Sequence, residues 1–169
     1  MSKIVIEDEC LAPSKFIYMH YEGPNAFKFA NSINKMLPSI FKVNTSSRNE
    51  EDMKWDTSKQ DHASFFFRFE VNKERSANSR IKFFIKVQGE ETLSTSMGRF
   101  TIELTARVMN IFERPGWCPE ALFKSWWWTY SYLFYDRRRQ QHVEICKSWL
   151  MTFKGWARDK LNIKGIEVQ

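Results

Sequence analysis

Three stretches of the chain decide its fold: residues 65–72 (FFFRFEVN), 80–87 (RIKFFIKV) and 100–108 (FTIELTARV). In each stretch apolar side chains alternate with more polar ones, so an extended strand would have one apolar and one polar face. This period of two is typical of an antiparallel sheet that is covered on one side only. The apolar faces comprise Phe65, Phe67, Phe69, Val71, Ile81, Phe83, Ile85, Val87, Phe100, Ile102, Leu104, Ala106 and Val108.

Shorter segments extend this sheet. Residues 15–22 (KFIYMHYE) are rich in aromatic and branched side chains and predict a strand. Residues 3–7 predict an edge strand, and residues 53–57 a further short strand before the three long ones. We therefore expect a curved antiparallel sheet of about five or six strands.

Two helical regions accompany the sheet. Apolar residues recur at helical spacing from Ala26 to Leu37, with Asn25 as the expected N-cap. Pro38 should end this helix and open a second short one over residues 39–42, because proline suits a first turn and disrupts a helix interior. Residues 119–161 have no proline after the first position and no glycine before Gly155, and they predict one long helix or two helices in line.

That C-terminal helix is long for the chain. Its 43 residues would span about 64 Å at 1.5 Å per residue. We therefore expect a bend, or an overhang that docks elsewhere, at Gly155 or within residues 136–142. The whole chain, residues 1–169, is expected to form one α+β domain, with the sheet and short helices in residues 1–115 and the long helix in residues 119–161.

The order of elements resembles that of the helix-grip fold, also called the START-like or Bet v 1-like fold. The resemblance is carried by residues 15–43 (KFIYMHYEGPNAFKFANSINKMLPSIFKV), the three alternating strands and the helix that begins at Pro119. It implies a curved sheet wrapped around the last helix, often with an apolar cavity between them, and binding of lipids, sterols or other apolar ligands. The chain differs from a full member in having fewer strands and a longer last helix, and no motif assigns functional residues to it.

Composition narrows the classes of function. The 169 residues include 16% aromatic side chains, and no stretch approaches the roughly 20 apolar residues of a membrane-spanning helix. The acidic N-terminal residues 7–9 argue against a secretion signal. Cys10, Cys118 and Cys146 are widely spaced and odd in number, so we expect reduced thiols in a cytoplasmic protein.

Residues 122–135 (LFKSWWWTYSYLFY) are the most unusual segment. Successive helical residues lie 100° apart, so Trp126, Trp127 and Trp128 cannot all face one sheet. A helix that is apolar all round should be buried all round. We expect a second surface on its far side: loops of the chain, a homo-oligomer mate, another protein, an apolar ligand or a membrane interface.

The net charge of +6 is concentrated in the C-terminal region. Residues 121–164 carry nine basic and three acidic side chains, which leaves the rest of the chain neutral. Adjacent arginines beside aromatic side chains suit RNA, where phosphates pair and bases stack, and they equally suit an anionic membrane surface. A solvated helix face is the simpler alternative. The candidate anion-binding residues are Arg137, Arg138, Arg139, Lys147, Lys154 and Arg158.

The chain has no strong catalytic motif, and we expect a binding protein without an enzymatic activity, cofactor or metal. His142 and Cys146 have the spacing of two metal ligands on a helix, but no motif supplies further ligands. His20, in a strand, is a weak candidate for an acid or base. The first functional hypothesis is a pocket for a hydrophobic ligand between sheet and helix, and the alternative is a basic RNA- or ribonucleoprotein-binding factor, expected to be a homodimer. The predicted pocket is lined by Phe67, Phe69, Phe83, Ile85, Ile102, Trp126, Trp127 and Tyr130.

Overall fold

The computed structural model describes residues 3–59, 61–161, 163 and 165–168. It has an α+β architecture, with an open, seven-stranded antiparallel sheet and a long C-terminal helix. The strands are β1 (Lys3–Glu9), β2 (Ile17–Pro24), β3 (Arg48–Lys59), β4 (His62–Ser76), β5 (Ser79–Thr92), β6 (Met97–Glu113) and β7 (Gly165–Val168). The helices are α1 (Ala26–Phe41), α2 (Glu120–Tyr130) and α3 (Asp136–Leu161), with a π-helical segment, Ser131–Tyr135, between α2 and α3.

The sheet order is β3-β4-β5-β6-β2-β7. Strand β6 pairs with β5 along one edge, and along the other edge it pairs with both β2 and β1. β2 lies beside residues 97–104 and β1 beside residues 107–113, so the first two strands lie end to end. The sheet has one more strand than the upper expectation; β7 is the strand that the sequence did not predict.

One face of this sheet forms the core, as the alternation predicted. The alternating apolar side chains of residues 65–71, 81–87 and 100–108 are buried, and α1 packs on the same face through its own apolar stripe. α3 packs against β6 and α1, with the Phe153 ring stacked on that of Phe41 at 5.9 Å. An antiparallel sheet with a C-terminal helix on one face is compatible with a helix-grip-like arrangement.

Helix α1 differs from the expectation in two respects. It is a single helix that contains Pro38 in its last turn, and no second helix begins there. Asn25 has a positive φ of 57° and makes no side-chain capping bond. The Glu91 carboxylate caps the helix instead, since its Oε2 accepts a hydrogen bond from the Phe27 amide at 2.6 Å.

The expected bend positions are also corrected. α3 is continuous through residues 136–142 and Gly155, and the irregularity lies in the π-helical segment. The spacing of the inward-facing side chains explains where this π-helical segment lies. Within α2 and within α3 these side chains are three or four residues apart, whereas Tyr130 and Tyr135 are five residues apart. A π turn accommodates that one extra residue and keeps both helices' apolar sides toward the protein.

A disulfide bond fixes α3 to the end of β1. Cys10 and Cys146 are fully buried and bonded, with an S–S distance of 2.01 Å, whereas Cys118 is a free thiol. This corrects the expectation of three reduced cysteines. The 136 residues between Cys10 and Cys146 had hidden the pairing, because only the tertiary fold brings the two side chains together.

Replacing both Cys10 and Cys146 with Ser should lower the free energy of unfolding by about 2–5 kcal/mol, because the bond closes a long loop and restricts the unfolded chain. Urea unfolding followed by circular dichroism measures this. The Cys118→Ser variant is the control and should remain within about 0.5 kcal/mol of the parent protein. Equal stability of the parent and the double variant would contradict the structural role of the bond.

Candidate docking surface and the polar cluster beneath it

Helix α2 is attached to the end of the sheet by aromatic contacts with Phe112 of β6. The Trp127 ring lies 4.5 Å from the Phe112 ring, and those of Tyr135 and Tyr130 lie 5.7 and 6.3 Å away. Trp127 is therefore the one of the three adjacent tryptophans that faces the sheet. Phe123, one turn before it, is also buried.

The other sides of α2 and of the segments flanking it expose large apolar side chains. Leu122 and Trp126, one turn apart, are 62% and 50% exposed, and Leu133 in the π-helical segment is 59% exposed. The flanking Trp117 and Trp128 are 85% and 72% exposed. We call these five residues the α2 apolar surface. Such a concentration of exposed apolar side chains makes this surface a candidate interaction site.

A buried polar cluster lies beneath the start of α3. Asp8 of β1 is 7% exposed, and its Oδ1 accepts a hydrogen bond from Arg139 Nε at 2.8 Å. Asn110 of β6 accepts a 2.5 Å hydrogen bond from the Ser79 hydroxyl. The Tyr135 hydroxyl lies beside Asn110 without forming a hydrogen bond of standard geometry.

The electrostatics of this cluster follow from its burial. Burial raises the pKa of Tyr135 to about 12, and the nearby Asp8 carboxylate adds to the increase. The hydrogen bond to Asp8 is the main reason that the pKa of Arg139 is raised above its usual value. Arg139 thus stays charged and compensates a carboxylate that is almost removed from water.

The sequence did not single out Asp8, because three consecutive acids near a terminus suggest a solvated segment. The signal that identifies it is the alternation of β1: Glu7 and Glu9 are exposed, whereas Asp8 shares the inward face with Ile4 and Ile6. Cys10 continues that face and bonds to α3. β1 and the residue after it therefore contact α3 through one ion pair and one disulfide bond, two residues apart.

The structure does not gather the eight predicted pocket residues around one cavity. Five of them lie in the core, where α1 covers the sheet; the Phe41 ring, for example, stacks on Phe83 at 4.2 Å. The other three lie on α2, at the Phe112 end of β6, with Tyr130 stacked on Trp126 at 5.2 Å. The residues in the core are Phe67, Phe69, Phe83, Ile85 and Ile102, and those on α2 are Trp126, Trp127 and Tyr130.

A cleft of about 1010 Å³ does occur elsewhere, where the C-terminal end of α3 meets the ends of β2, β5 and β6. None of the eight predicted residues lines it. His20 does, and its Nδ1 lies 3.0 Å from the Thr101 hydroxyl. Arg99 and Glu90, which also line the cleft, form an ion pair at 2.7 Å. Several polar side chains of this cleft therefore already bind one another, through a hydrogen bond and an ion pair.

The six candidate anion-binding residues have different environments. Arg139 is committed to Asp8, and Arg158 pairs with Asp159 at 3.2 Å. Arg137, Arg138 and Lys147 are exposed, and Lys154 is half-buried. The three adjacent arginines thus divide, with two directed to solvent and one to the buried cluster.

The His142 and Cys146 pair is not a metal site in this arrangement, because Cys146 is bonded to Cys10. Among the described residues, no group of three histidine, cysteine or acidic side chains is placed to hold a metal ion. Burial, together with Arg75 and Arg138, lowers the pKa of His142.

Compared with protein-family models, curated proteins and solved structures, the chain gives no significant match. In the described part of the chain, no helix has both the length and the apolar composition needed to cross a membrane. Evidence for a function therefore comes from the side chains that the protein exposes.

Replacing Arg139 with Gln should destabilise the protein by on the order of 3 kcal/mol, because it leaves the Asp8 carboxylate buried without its cation. Urea unfolding of Arg139→Gln and of Arg137→Gln makes a matched comparison, since the Arg137 side chain is exposed and its loss should cost less than about 0.5 kcal/mol. Adding Asp8→Asn to Arg139→Gln should recover part of the loss. Similar stabilities for the two single variants would rule out this role of Arg139.

The raised pKa of Tyr135 should make the stability of the protein depend on pH in the alkaline range. Between pH 10 and pH 12 the unfolded chain ionises this phenol while the folded protein keeps it protonated, so its contribution to stability is present below pH 10 and is lost as the pH rises toward 12. Tyr135→Phe should therefore lose less stability than the parent between pH 9.5 and pH 11.5. Urea unfolding at these two pH values is the measurement, and identical losses in the two proteins would count against a raised pKa.

Proposed function

We propose that this protein binds the surface of anionic membranes, and that the α2 apolar surface is the part that enters the lipid headgroup layer. The observation that carries the proposal is the exposed stripe of Leu122, Trp126 and Leu133, with Trp117 and Trp128 beside it. A helix lying in the interface buries such a stripe about 5–10 Å deep, at the boundary of headgroups and acyl chains. Tryptophan is enriched at this level because its ring is apolar and its N–H is polar.

The charges next to the stripe support the same proposal. Arg137 and Arg138 follow directly after the π-helical segment, are exposed and form none of the ion pairs in the described part of the chain. Near an anionic surface each such side chain contributes about 1 kcal/mol of attraction. The eleven residues of α2 span about 16 Å, which suits a helix that lies on the bilayer.

The composition of the stripe favours lipid over RNA and over a second copy of the chain. Leu122 and Leu133 have no ring on which a nucleic-acid base stacks, so the stripe suits hydrocarbon better than bases. Exposed tryptophans on more than one side of a protruding helix suit a fluid layer, which needs no preformed complementary groove. A homodimer through α2 is the competing outcome of the experiment.

Sedimentation with vesicles tests the proposal. The parent protein should bind vesicles that contain 30 mol% phosphatidylserine more tightly than vesicles of phosphatidylcholine alone, and salt should weaken the difference. Trp126→Ser with Leu133→Ser should weaken binding at least tenfold, because the buried apolar area is lost. Met36→Ser is the control, since it removes an exposed apolar side chain from α1 and should bind as the parent does.

Two results would contradict the proposal. One is equal sedimentation of the parent and the Trp126→Ser/Leu133→Ser variant. The other is a stable dimer in native mass spectrometry that the same variant dissociates, together with no vesicle binding by the parent protein. That second result would assign the α2 apolar surface to self-association.

A further inference from the structure

Strand β1 has one paired side and one open side. In the described part of the chain it pairs with β6 alone, through seven consecutive residue pairs that run from Lys3 opposite Glu113 to Glu9 opposite Arg107. The other side of β1 is therefore an edge of the sheet. Backbone N–H and C=O groups along such an edge can bind a further strand.

The hydrogen bond of Cys10 shows which residues of β1 point to this edge. The Cys10 amide donates to the Ala106 carbonyl oxygen at 3.0 Å, so these two opposite residues form a hydrogen-bonded pair. Backbone groups alternate in direction along a strand, so the even-numbered residues of β1 bond to β6 and the odd-numbered ones face the edge. The Glu9 carbonyl oxygen already accepts a hydrogen bond from the turn that follows. The remaining odd-numbered residues are Lys3, Val5 and Glu7.

The other two edges of the sheet are irregular or short, whereas β1 is regular. β3 has two register shifts, after Glu50 and after Asp56, and such irregularities deter an incoming strand. β7 has only four residues. β1 keeps one register throughout, and its residues 4–6 (IVI) are three β-branched side chains in a row. Of the three edges, β1 is therefore the best suited to pair with another strand.

The sequence of β1 matches itself when a second copy runs antiparallel to it about Val5. In this register Lys3 lies opposite Glu7 of the second copy and Glu7 lies opposite its Lys3, so two pairs of opposite charge form on the outer face of the sheet. Ile4 lies opposite Ile6 on the inner face, where both are half-buried in the single chain. Val5, which is 40% exposed, lies opposite its own counterpart.

The hydrogen-bond directions agree with the same register. Pairs centred on Val5 join odd-numbered residues to odd-numbered residues, so the groups that face the two edges meet one another and can exchange about six hydrogen bonds. A shift of two residues in one direction would place Val5 opposite Glu7 and Ile4 opposite the buried Asp8. The same shift in the other direction would place Val5 opposite Lys3. Charge and burial together therefore favour the register about Val5.

We propose that β1 pairs with β1 of a second copy of this chain, antiparallel and centred on Val5, and that the pairing joins the two sheets into one. Cross-strand pairs of opposite charge and of branched side chains are those that stabilise a sheet. A ladder of five residue pairs is smaller than a standard interface, so we expect a reversible dimer with a dissociation constant in the micromolar range.

The dimer does not depend on the membrane docking proposed above, but the two are geometrically compatible. The two-fold axis would be perpendicular to the sheet, which keeps the inner faces of both copies on one side. Phe112, on which the Trp127 ring of α2 packs, lies opposite Ile4 on this inner face. The α2 apolar surfaces of both copies would therefore lie on the same side, where one bilayer can bind both.

Sedimentation equilibrium of the whole chain, from about 1 to 200 μM, tests the pairing. The parent protein should dimerise, and Val5→Pro should raise the dissociation constant at least tenfold, because proline removes the N–H that faces the edge. That N–H does not bond to β6, so the variant should keep its fold, which circular dichroism checks. Val5→Thr is the matched control: it keeps the N–H and the branched shape, and it should change the constant less than threefold.

Charge reversal tests the register and does not rely on proline. Lys3→Glu alone and Glu7→Lys alone each place like charges opposite one another, and each should weaken the dimer at least fivefold. The double variant Lys3→Glu/Glu7→Lys restores opposite charges in both pairs. Its dissociation constant should return to within twofold of that of the parent protein.

Three results would overturn the proposal. One is a parent protein that stays monomeric over the whole concentration range, which would leave the edge of β1 to a strand of another protein. Another is a dimer that Trp126→Ser/Leu133→Ser dissociates and Val5→Pro does not, which would assign self-association to the α2 apolar surface. The third is a double charge reversal that fails to restore the dimer, which would exclude the register about Val5.

Discussion

The structure depends on covering one apolar sheet face with two helices. β4, β5 and β6 present buried aromatic and branched side chains along this face, and α1 and α3 are the elements that exclude water from it. The preceding helix α2 lies at the Phe112 end of β6, where Trp127 and Tyr135 pack on the Phe112 ring. The exposed tryptophans follow from this placement: the core is complete without them.

Two bonds, one to β1 and one to the residue that follows it, hold α3 in position. Asp8 of β1 and Cys10 contact Arg139 and Cys146, which are seven residues apart on the helix. Seven residues make two turns, so both contacts fall on the same side of α3. These two contacts fix which side of α3 faces the protein. The π-helical segment adds one residue between Tyr130 and Tyr135, and with that residue the buried side of α2 also faces the protein, at Phe112.

The sequence predicted those features that depend on local periodicity. The alternation of β4 to β6 and the helical region after Pro119 both follow from neighbouring residues, and both are present. Helix geometry also predicted that Trp126, Trp127 and Trp128 cannot all face the sheet. Which of them does so depends on Phe112 of β6, since its ring contacts that of Trp127. The Cys10–Cys146 bond and the seventh strand depend on pairings between distant segments, which periodicity does not encode.

The charges illustrate the same limit. Counting along the chain assigns the whole positive excess to residues 121–164, but the fold redistributes it: Arg139 is neutralised by Asp8, and Lys124 pairs with Glu120 at 2.8 Å. Lys42 and Lys73 come from the remainder of the sequence, which is neutral overall, yet both lie at the Trp149 ring of α3. A long-range attraction depends on total charge, which can be counted along the chain. The partner of each charged side chain depends on contacts between distant segments, and only the fold determines those contacts.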